Sequence, residues 1–272
     1  MRAMILAAGL GTRLNPLTDT RPKALVELAG RTLLEITLTR LRTFGITEFI
    51  INVHHFADQV IDYLKSHNNF GLRIEISREE VLLDTGGGLK KASWFFLEDP
   101  KNLDEPFLLH NVDVISTIDL RAMLQFHTQH YALATLAVQS RESSRQLLFN
   151  DHNELCGRRT GRDQEPEIVA LSKTPVSCHS ERSEGSAFSE PHPAASQPLQ
   201  ALAFSGIHIL SPRLLPLLTE NGVFSIIPSY LRLAAQSQKI LAFRADQYYW
   251  RDLGRPSDLA QAALDLQQKA LF

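Results

Sequence analysis

Met4-Ile5-Leu6-Ala7-Ala8-Gly9-Leu10-Gly11-Thr12-Arg13-Leu14, followed by Pro16-Leu17-Thr18 and Arg21-Pro22-Lys23, decides the fold. An apolar run passes directly into a glycine pair, as where a buried parallel strand ends in a tight loop. Glycines let a ligand approach the backbone closely, and successive N–H groups in such a loop form an anion-binding concavity. Arg13 and Lys23 add two cations ten residues apart. The chemistry is that of a polyphosphate site at the carboxyl end of the first strand. The plain alternative is a strand, a turn and two surface cations. The dinucleotide fingerprint is excluded, because Leu14 stands where its third glycine belongs. A Walker A loop is excluded as well, since no Gly-Lys-Ser/Thr occurs.

The chain has 272 residues, is 44% hydrophobic, and balances 28 basic against 30 acidic residues for a net charge of −2. That length and apolar content can fill one large α/β domain. The near-neutral charge points away from nucleic-acid and membrane surfaces. No apolar run approaches the ~18 residues of a membrane span. The opening residues lack a signal-peptide pattern, and Cys156 and Cys178 make neither a disulfide framework nor a zinc spacing. A cytoplasmic protein without membrane insertion is the expectation.

Helical and strand patterns alternate from the start, which predicts βα units on a mainly parallel sheet, a Rossmann-like α/β fold. Thr32 and Glu35 have capping-box spacing, Leu34, Leu38 and Leu41 repeat at helical spacing, and Gly45 follows as a stop. The run 48–53 reads as a second strand with Asn52 near its carboxyl end, and 56–64 as a second amphipathic helix. Leu72, Ile74 and Ile76 alternate as a half-buried strand. Asp84-Thr85-Gly86-Gly87-Gly88 reads as a turn before a helix over 90–96, with glycines that admit close approach. Residues 106–113 form a buried strand ending in Asp113, which reads either as a metal carboxylate or as the N-cap of the next helix. A helix over 118–127, a strand over 132–139, and a hairpin across 146–157 with a polar turn follow. Residues 168–171 can form one more strand. The stretch from about 174 to 200 is rich in Ser, Pro and His and lacks apolar periodicity. It is expected to be a mobile insertion in a single domain spanning 1–272, since such composition buries too little surface to offset ordering entropy. Order returns with a strand over 202–210, helices over 212–218 and 226–235, a strand over 239–244, and a helix over 258–269.

The opening motif, Leu6-Ala7-Ala8-Gly9-Leu10-Gly11-Thr12-Arg13-Leu14 with Pro16, Leu17, Thr18, Pro22 and Lys23, resembles the signature of the sugar-1-phosphate nucleotidyltransferases, or NDP-sugar pyrophosphorylases. The resemblance recurs at Thr85-Gly86-Gly87-Gly88, at Asp113 and at Trp250-Arg251-Asp252-Leu253-Gly254. It covers most of the chain, and the Thr-Gly-Gly-Gly run is closest in look to the N-acetylmuramate-1-phosphate uridylyltransferase-like subgroup. The resemblance implies a nucleotide-diphospho-sugar transferase fold with a small β lobe for the sugar. It implies NTP and sugar 1-phosphate as substrates, with UTP favoured, and Mg²⁺ as cofactor. Arg13 and Lys23 are then catalytic. Leu6, Ala7, Ala8, Gly9, Gly11, Thr12, Asn52, Thr85 and Gly86 bind the nucleotide. Ser205, Gly206 and Lys173 serve the sugar phosphate, Lys173 by likeness to a Glu-Lys-Pro element of which only part is present. Asp113 and Asp252 hold the metal, although Val112 stands where the family usually has glycine.

A GTP-dependent mannose or heptose 1-phosphate guanylyltransferase and a CTP-dependent cytidylyltransferase for a phospho-alcohol are alternatives. A non-catalytic sugar-nucleotide-binding homologue is a rival of another class, disfavoured because all four charged positions are present. A nicotinamide-dependent oxidoreductase is disfavoured by the missing third glycine. No hexapeptide repeat follows the last helix, so a trimerising acyltransferase extension is not expected. Oligomeric state is not legible.

Overall fold

β1 (Ala3–Leu6) is the apolar run that opens the sequence, and Ala3, Met4 and Ile5 are wholly buried at the centre of the sheet. The computed structural model describes residues 1–98, 104–161, 164–170 and 198–269. Lys173 and nearly all of the Ser/Pro-rich segment lie outside the described residues.

After β1 come a short hairpin, β2 (Glu27–Leu28) and β3 (Arg31–Thr32), then α1 (Leu33–Thr43). Thr32 caps α1, its Oγ1 accepting the Glu35 N–H at 3.1 Å. The expected reciprocal half of the box is absent, because the Glu35 carboxylate takes the Arg31 guanidinium instead. Gly45, at φ 81°, ends the helix in the left-handed region that glycine favours. β4 (Glu48–Val53), α2 (Ala57–Ser66) and β5 (Arg73–Arg78) follow. Next are α3 (Asp84–Lys91) and the single turn α4 (Trp94–Leu97). The three glycines expected in a turn therefore lie inside a helix. Glycine is a poor helix former, and packing accounts for its use here. A Cβ at Gly86 would fall 2.4 Å from the Phe224 ring, one at Gly87 2.5 Å from the Gly222 carbonyl oxygen, and one at Gly88 2.8 Å from Glu79.

β6 (Phe107–Asn111) and β7 (Val114–Ser116) flank Asp113, and α5 (Leu120–Gln129) begins two residues later than expected because Asp119 is its N-cap. Asp113 is thus not a cap. β8 (Ala134–Gln139), β9 (Arg145–Phe149), β10 (Leu155–Thr160) and β11 (Glu167–Ile168) lead to β12 (Gln200–Leu210). The chain continues through α6 (Ile226–Ala235), β13 (Ile240–Arg244), β14 (Trp250–Asp252) and α7 (Pro256–Lys269).

Ten of the described strands form one mixed sheet. Its parallel core runs β5–β4–β1–β6. The long β12 lies antiparallel to β6, and β8 and β13 complete that flank. The first residues of β12 pair with β9, which carries β10 and β11. The β lobe is therefore an extension of the sheet, joined to it through β12. The register of β12 against β8 shifts between Phe204 and His208, at Gly206 with φ 73°. Helices cover both faces, and two large apolar clusters share the sheet's residues between them. No described helix is long and apolar enough to cross a membrane.

Candidate active site

Parallel strands release their carboxyl ends at one edge of the sheet, and ligands of such folds bind there. The chain after β1 and the ends of β4 and β6 line a cleft of about 350 Å³. Its walls include Leu6, Ala7, Ala8, Gly9, Lys23, Asn52, Thr85 and Asp113. The opening motif, the second strand and the Thr-Gly run thus converge, as the spacing alone did not require.

The two loop glycines differ. A Cβ at Gly9 would meet nothing within 4 Å, so the space beside it is open. Gly11 has φ 70°, and a Cβ there would sit 2.9 Å from Thr18 Cγ2 and 3.1 Å from Lys23 Cβ. Thr18 holds the loop by donating to the Gly11 carbonyl at 3.0 Å. Thr12 opens a short 3-10 turn, Thr12–Leu14, which carries Arg13 out of the loop.

Arg13, Lys23, Asp113 and Asp252 come together from 239 residues of sequence separation. β14 pairs antiparallel with β7, setting Asp252 opposite Val114, and the Leu253 N–H donates to the Asp113 carbonyl at 2.7 Å. Lys23 is only 10% exposed in its side chain and donates to Asp113 Oδ2. Arg13 is 59% exposed and lies 3.9 Å from Asp252 Oδ1. Burial raises the Asp252 carboxyl above its usual range, the neighbouring Asp113 raises it further, and Lys23, the Gly254 N–H and Arg13 work against both. Two carboxylates are therefore held side by side at an energetic cost that another cation would relieve. Val112 fits without strain: it is buried in the core, its N–H donates to the Leu6 carbonyl, and it needs no positive φ.

Asn52 is buried with both ends of its amide engaged. Oδ1 accepts the Ala7 N–H at 2.8 Å, and Nδ2 donates to Glu79 Oε1 at 2.8 Å. Glu79 Oε2 in turn accepts the Leu83 N–H at 2.9 Å. This chain of bonds ties the start of the glycine loop to the start of α3. Thr85 lines the cleft while its Oγ1 accepts the Ile226 N–H at 3.0 Å. Gly86 is buried, and its N–H is given to the Phe224 carbonyl at 2.9 Å. Ser205 is fully buried with no hydrogen-bond partner for Oγ among the described residues, and its carbonyl accepts Trp250 Nε1 at 2.7 Å. A Cβ at Gly206 would fall 2.8 Å from Asn111 Nδ2, so this glycine makes room for a side chain of the cleft wall.

Several residues of the site were not singled out from sequence. Asp84 lines the cleft in the left-handed region, at φ 60°. Leu82, Asn111 and Val223 also line it, Val223 being 61% exposed. Glu79 is buried beneath it. The pair Glu79-Glu80 at the end of an alternating strand was the one signal for Glu79, and it reads equally as a solvated turn. Val223 gave none, because it reaches the cleft only through a loop docked on the α3 glycines.

A nucleotidyl transferase family model matches residues 2–147. The chain is 31% identical over 260 residues to an N-acetylmuramate alpha-1-phosphate uridylyltransferase of Caulobacter vibrioides, an alignment spanning 93% of this chain and 92% of that protein. It is 27% identical over 259 residues to a mannose-1-phosphate guanyltransferase of Candida albicans, spanning 95% of this chain and 62% of that one. The solved structure of a UDP-glucose pyrophosphorylase complexed with UDP-glucose superposes with a TM-score of 0.71 at 18% identity, over 98% of each chain, a likeness of fold.

Proposed function

The chain belongs to the nucleotidyl transferase family and is a sugar-1-phosphate nucleotidyltransferase, and on that premise we propose a uridylyltransferase acting on UTP and an N-acetylmuramate-type sugar 1-phosphate. The observation that carries the site assignment is the convergence of Arg13, Lys23, Asp113 and Asp252 beside the open glycine loop. The choice of UTP and sugar follows a relative, the Caulobacter vibrioides uridylyltransferase, whose match spans nearly the whole of both chains. All of residues 1–272 act as one such unit in this reading.

In the reaction, an anionic oxygen of the sugar 1-phosphate attacks the α-phosphorus of the NTP. The bond from that phosphorus to the bridging oxygen breaks, and pyrophosphate leaves. The attacking oxygen is already charged, so the protein needs no nucleophile and no strong base. Its work is positioning and charge neutralisation. The backbone around Gly9, Leu10 and Gly11 cradles phosphates, with Gly9 leaving the space for them. Arg13, exposed and weakly engaged, turns its fork to the departing pyrophosphate. Lys23, held by Asp113, meets the charge that grows at the reacting phosphate. Leu82 and Val223 offer apolar contact to the base, and Asn52 keeps the loop and α3 in register through Ala7 and Glu79. Asp113 and Asp252 fit a hard divalent cation: both donors are carboxylates, Asp113 lines the cleft with Asp252 set next to it by the β7–β14 pairing, and the burial cost at Asp252 is of the sign a cation relieves. These two residues would hold Mg²⁺, which when bound supplies positive charge to the α-phosphate. Among the described residues no group of three or more His, Cys, Asp or Glu could hold a metal, and the pair Asp113 and Asp252 is the donor set this reading uses.

A guanylyltransferase is the second reading. The Asp84 carboxylate lines the cleft, and guanine presents an N–H and an NH₂ on one edge that match a carboxylate. A pyrophosphate-release screen of four NTPs against N-acetylmuramate, mannose, glucose and glucosamine 1-phosphates, with Mg²⁺, decides. Highest kcat/KM for UTP with N-acetylmuramate 1-phosphate is expected. Preference for GTP with mannose 1-phosphate replaces the first reading by the second.

A further inference from the structure

Arg141 follows β8, on a segment that the opening motif does not reach. Its guanidinium lies 3.8 Å above the Trp250 ring centroid. Trp250 and Asp252 alternate on β14, so their side chains share a face of that strand. Arg141 Nη2 donates to the Phe204 carbonyl at 2.7 Å, at the residue before the Ser205-Gly206 pair. Its Nε is buried with no acceptor among the described residues. No carboxylate of the described residues lies within ion-pair distance of it, although Asp252 acts on it electrostatically and opposes the lowering of its pKa by burial. Buried N–H groups are nearly always satisfied, and a half-buried cation whose nearest acting carboxylate, Asp252, stays beyond ion-pair distance is costly. The guanidinium is also held in place, by stacking on Trp250 and by the Phe204 carbonyl, before any ligand arrives. The Nε is sealed from solvent and Nη2 is taken by Phe204. Nη1 makes no hydrogen bond among the described residues, so a cation fixed in this way offers the Nη1 end of its fork to an oxyanion.

We infer that Arg141 binds the phosphate of the sugar 1-phosphate, placing the attacking oxyanion on the Trp250 side of Asp252. The inference rests on the nucleotidyl-transfer reading above and adds a third cation to it. Arg13 and Lys23 serve the NTP's phosphates, and Arg141 serves the acceptor's. Trp250 is then a positioning residue, its indole N–H fixed by the Ser205 carbonyl so that its face supports the guanidinium.

The test is a comparison of Arg141→Gln and Arg141→Lys with the parent. With the best NTP and sugar 1-phosphate pair of the screen, Arg141→Gln raises KM for the sugar phosphate about 10- to 100-fold, the weight of a charge-assisted hydrogen bond. KM for the NTP stays within about two-fold, a split that general loss of stability does not produce. Arg141→Lys keeps the charge but not the fork, and falls between. A binding readout without turnover uses Trp94→Phe, which leaves Trp250 as the single tryptophan. Titration with N-acetylmuramate 1-phosphate, mannose 1-phosphate or inorganic phosphate shifts its emission, and adding Arg141→Gln abolishes the shift. An unchanged sugar-phosphate KM in Arg141→Gln, equal rises in both KM values, or an emission shift absent from the parent or indifferent to Arg141 overturns the inference. Failure of the reaction itself shows separately, as no pyrophosphate release by the unmodified enzyme with any pair.

Discussion

On one side of the cleft, Leu6, Ala7, Ala8, Gly9 and Lys23 all come from the first twenty-three residues. Around Trp250, by contrast, Arg141 after β8 and the neighbours Phe204 and Ser205 of β12 come from distant parts of the chain and meet through one cation–ring stack and two carbonyls. The first region is local in sequence: a strand, a glycine loop and a short turn carry its groups, and Asn52 and Asp113 only hold Ala7 and Lys23 from outside it. The second exists only once β8, β12 and β14 are in register. A local site depends on backbone shape, so its failures are failures of chemistry. An assembled site depends on packing, so its failures mix chemistry with stability.

The largest effects are expected at the two motif cations, which also break the comparison most directly. Arg13→Ala and Lys23→Ala should each lower turnover by about 10²–10⁴-fold, as loss of a charge aimed at a developing anion does. Their stabilities should diverge. Arg13 is exposed and barely engaged, so its melting temperature should stay near the parent's. Lys23 is buried against Asp113, and its loss strands that carboxylate beside Asp252 at a cost of ~3 kcal/mol. Turnover from pyrophosphate release and thermal unfolding separate the two. Near-normal turnover in either variant refutes its catalytic role.

The strands that join the two regions, β6 and β12, carry His110 and His208, and both are buried. Burial lowers the His110 pKa to about 4 and the His208 pKa to about 3. His127, bonded to Thr135, is lowered to about 4 in the same way. Each imidazole is neutral in the folded chain, while an unfolded histidine takes its proton near pH 6.5. Below that pH the unfolded state binds more protons, so stability is level above about pH 6.5 and falls as pH drops toward 4. One such group can account for up to about 3 kcal/mol. Acid unfolding should therefore remove NTP binding and sugar-phosphate binding in one transition. His127→Gln should flatten the pH dependence of the melting temperature between 6.5 and 4.

The sheet core, α1 with its Thr32 cap, and the glycine loop were legible because each is written in neighbouring residues: an apolar run, a capping spacing, a stop at Gly45. The meeting of Asp113 with Asp252 was not legible from residue chemistry, because they stand 139 residues apart and only the β7–β14 pairing unites them. The family likeness supplied that pair before the geometry did. The run Gly86-Gly87-Gly88 was misread as a turn for a physical reason: glycine signals freedom of backbone and closeness of packing alike, and only the partner tells which. Here the partner is the Gly222–Phe224 segment. Gly86→Ala tests this, since a methyl group 2.4 Å from the Phe224 ring must displace it. We expect a loss of ~2 kcal/mol in chemical unfolding, with Val223 shifted at the cleft and KM for the NTP raised. A stable Gly86→Ala variant would restore a ligand-facing role for that glycine.

The smallest structural effect should be the most informative about the loop. Gly9 and Gly11 look alike in sequence, and a phosphate cradle built from both predicts that alanine harms both in the same manner. The structure separates them. Alanine at Gly11 must adopt φ 70° and crowd Thr18 and Lys23, so it should cost ~1–2 kcal/mol of stability before any ligand is considered. Alanine at Gly9 meets nothing within 4 Å and needs no positive φ, so its melting temperature should match the parent's. If the space beside Gly9 is kept for the NTP's phosphates, the added methyl group should raise KM for the NTP by about ten-fold or more while leaving KM for the sugar phosphate alone. That is the mirror image of the split expected at Arg141. A Gly9→Ala enzyme with ordinary NTP kinetics would move the phosphates away from the loop and leave Arg13 and Lys23 as their only anchors on this side of the cleft.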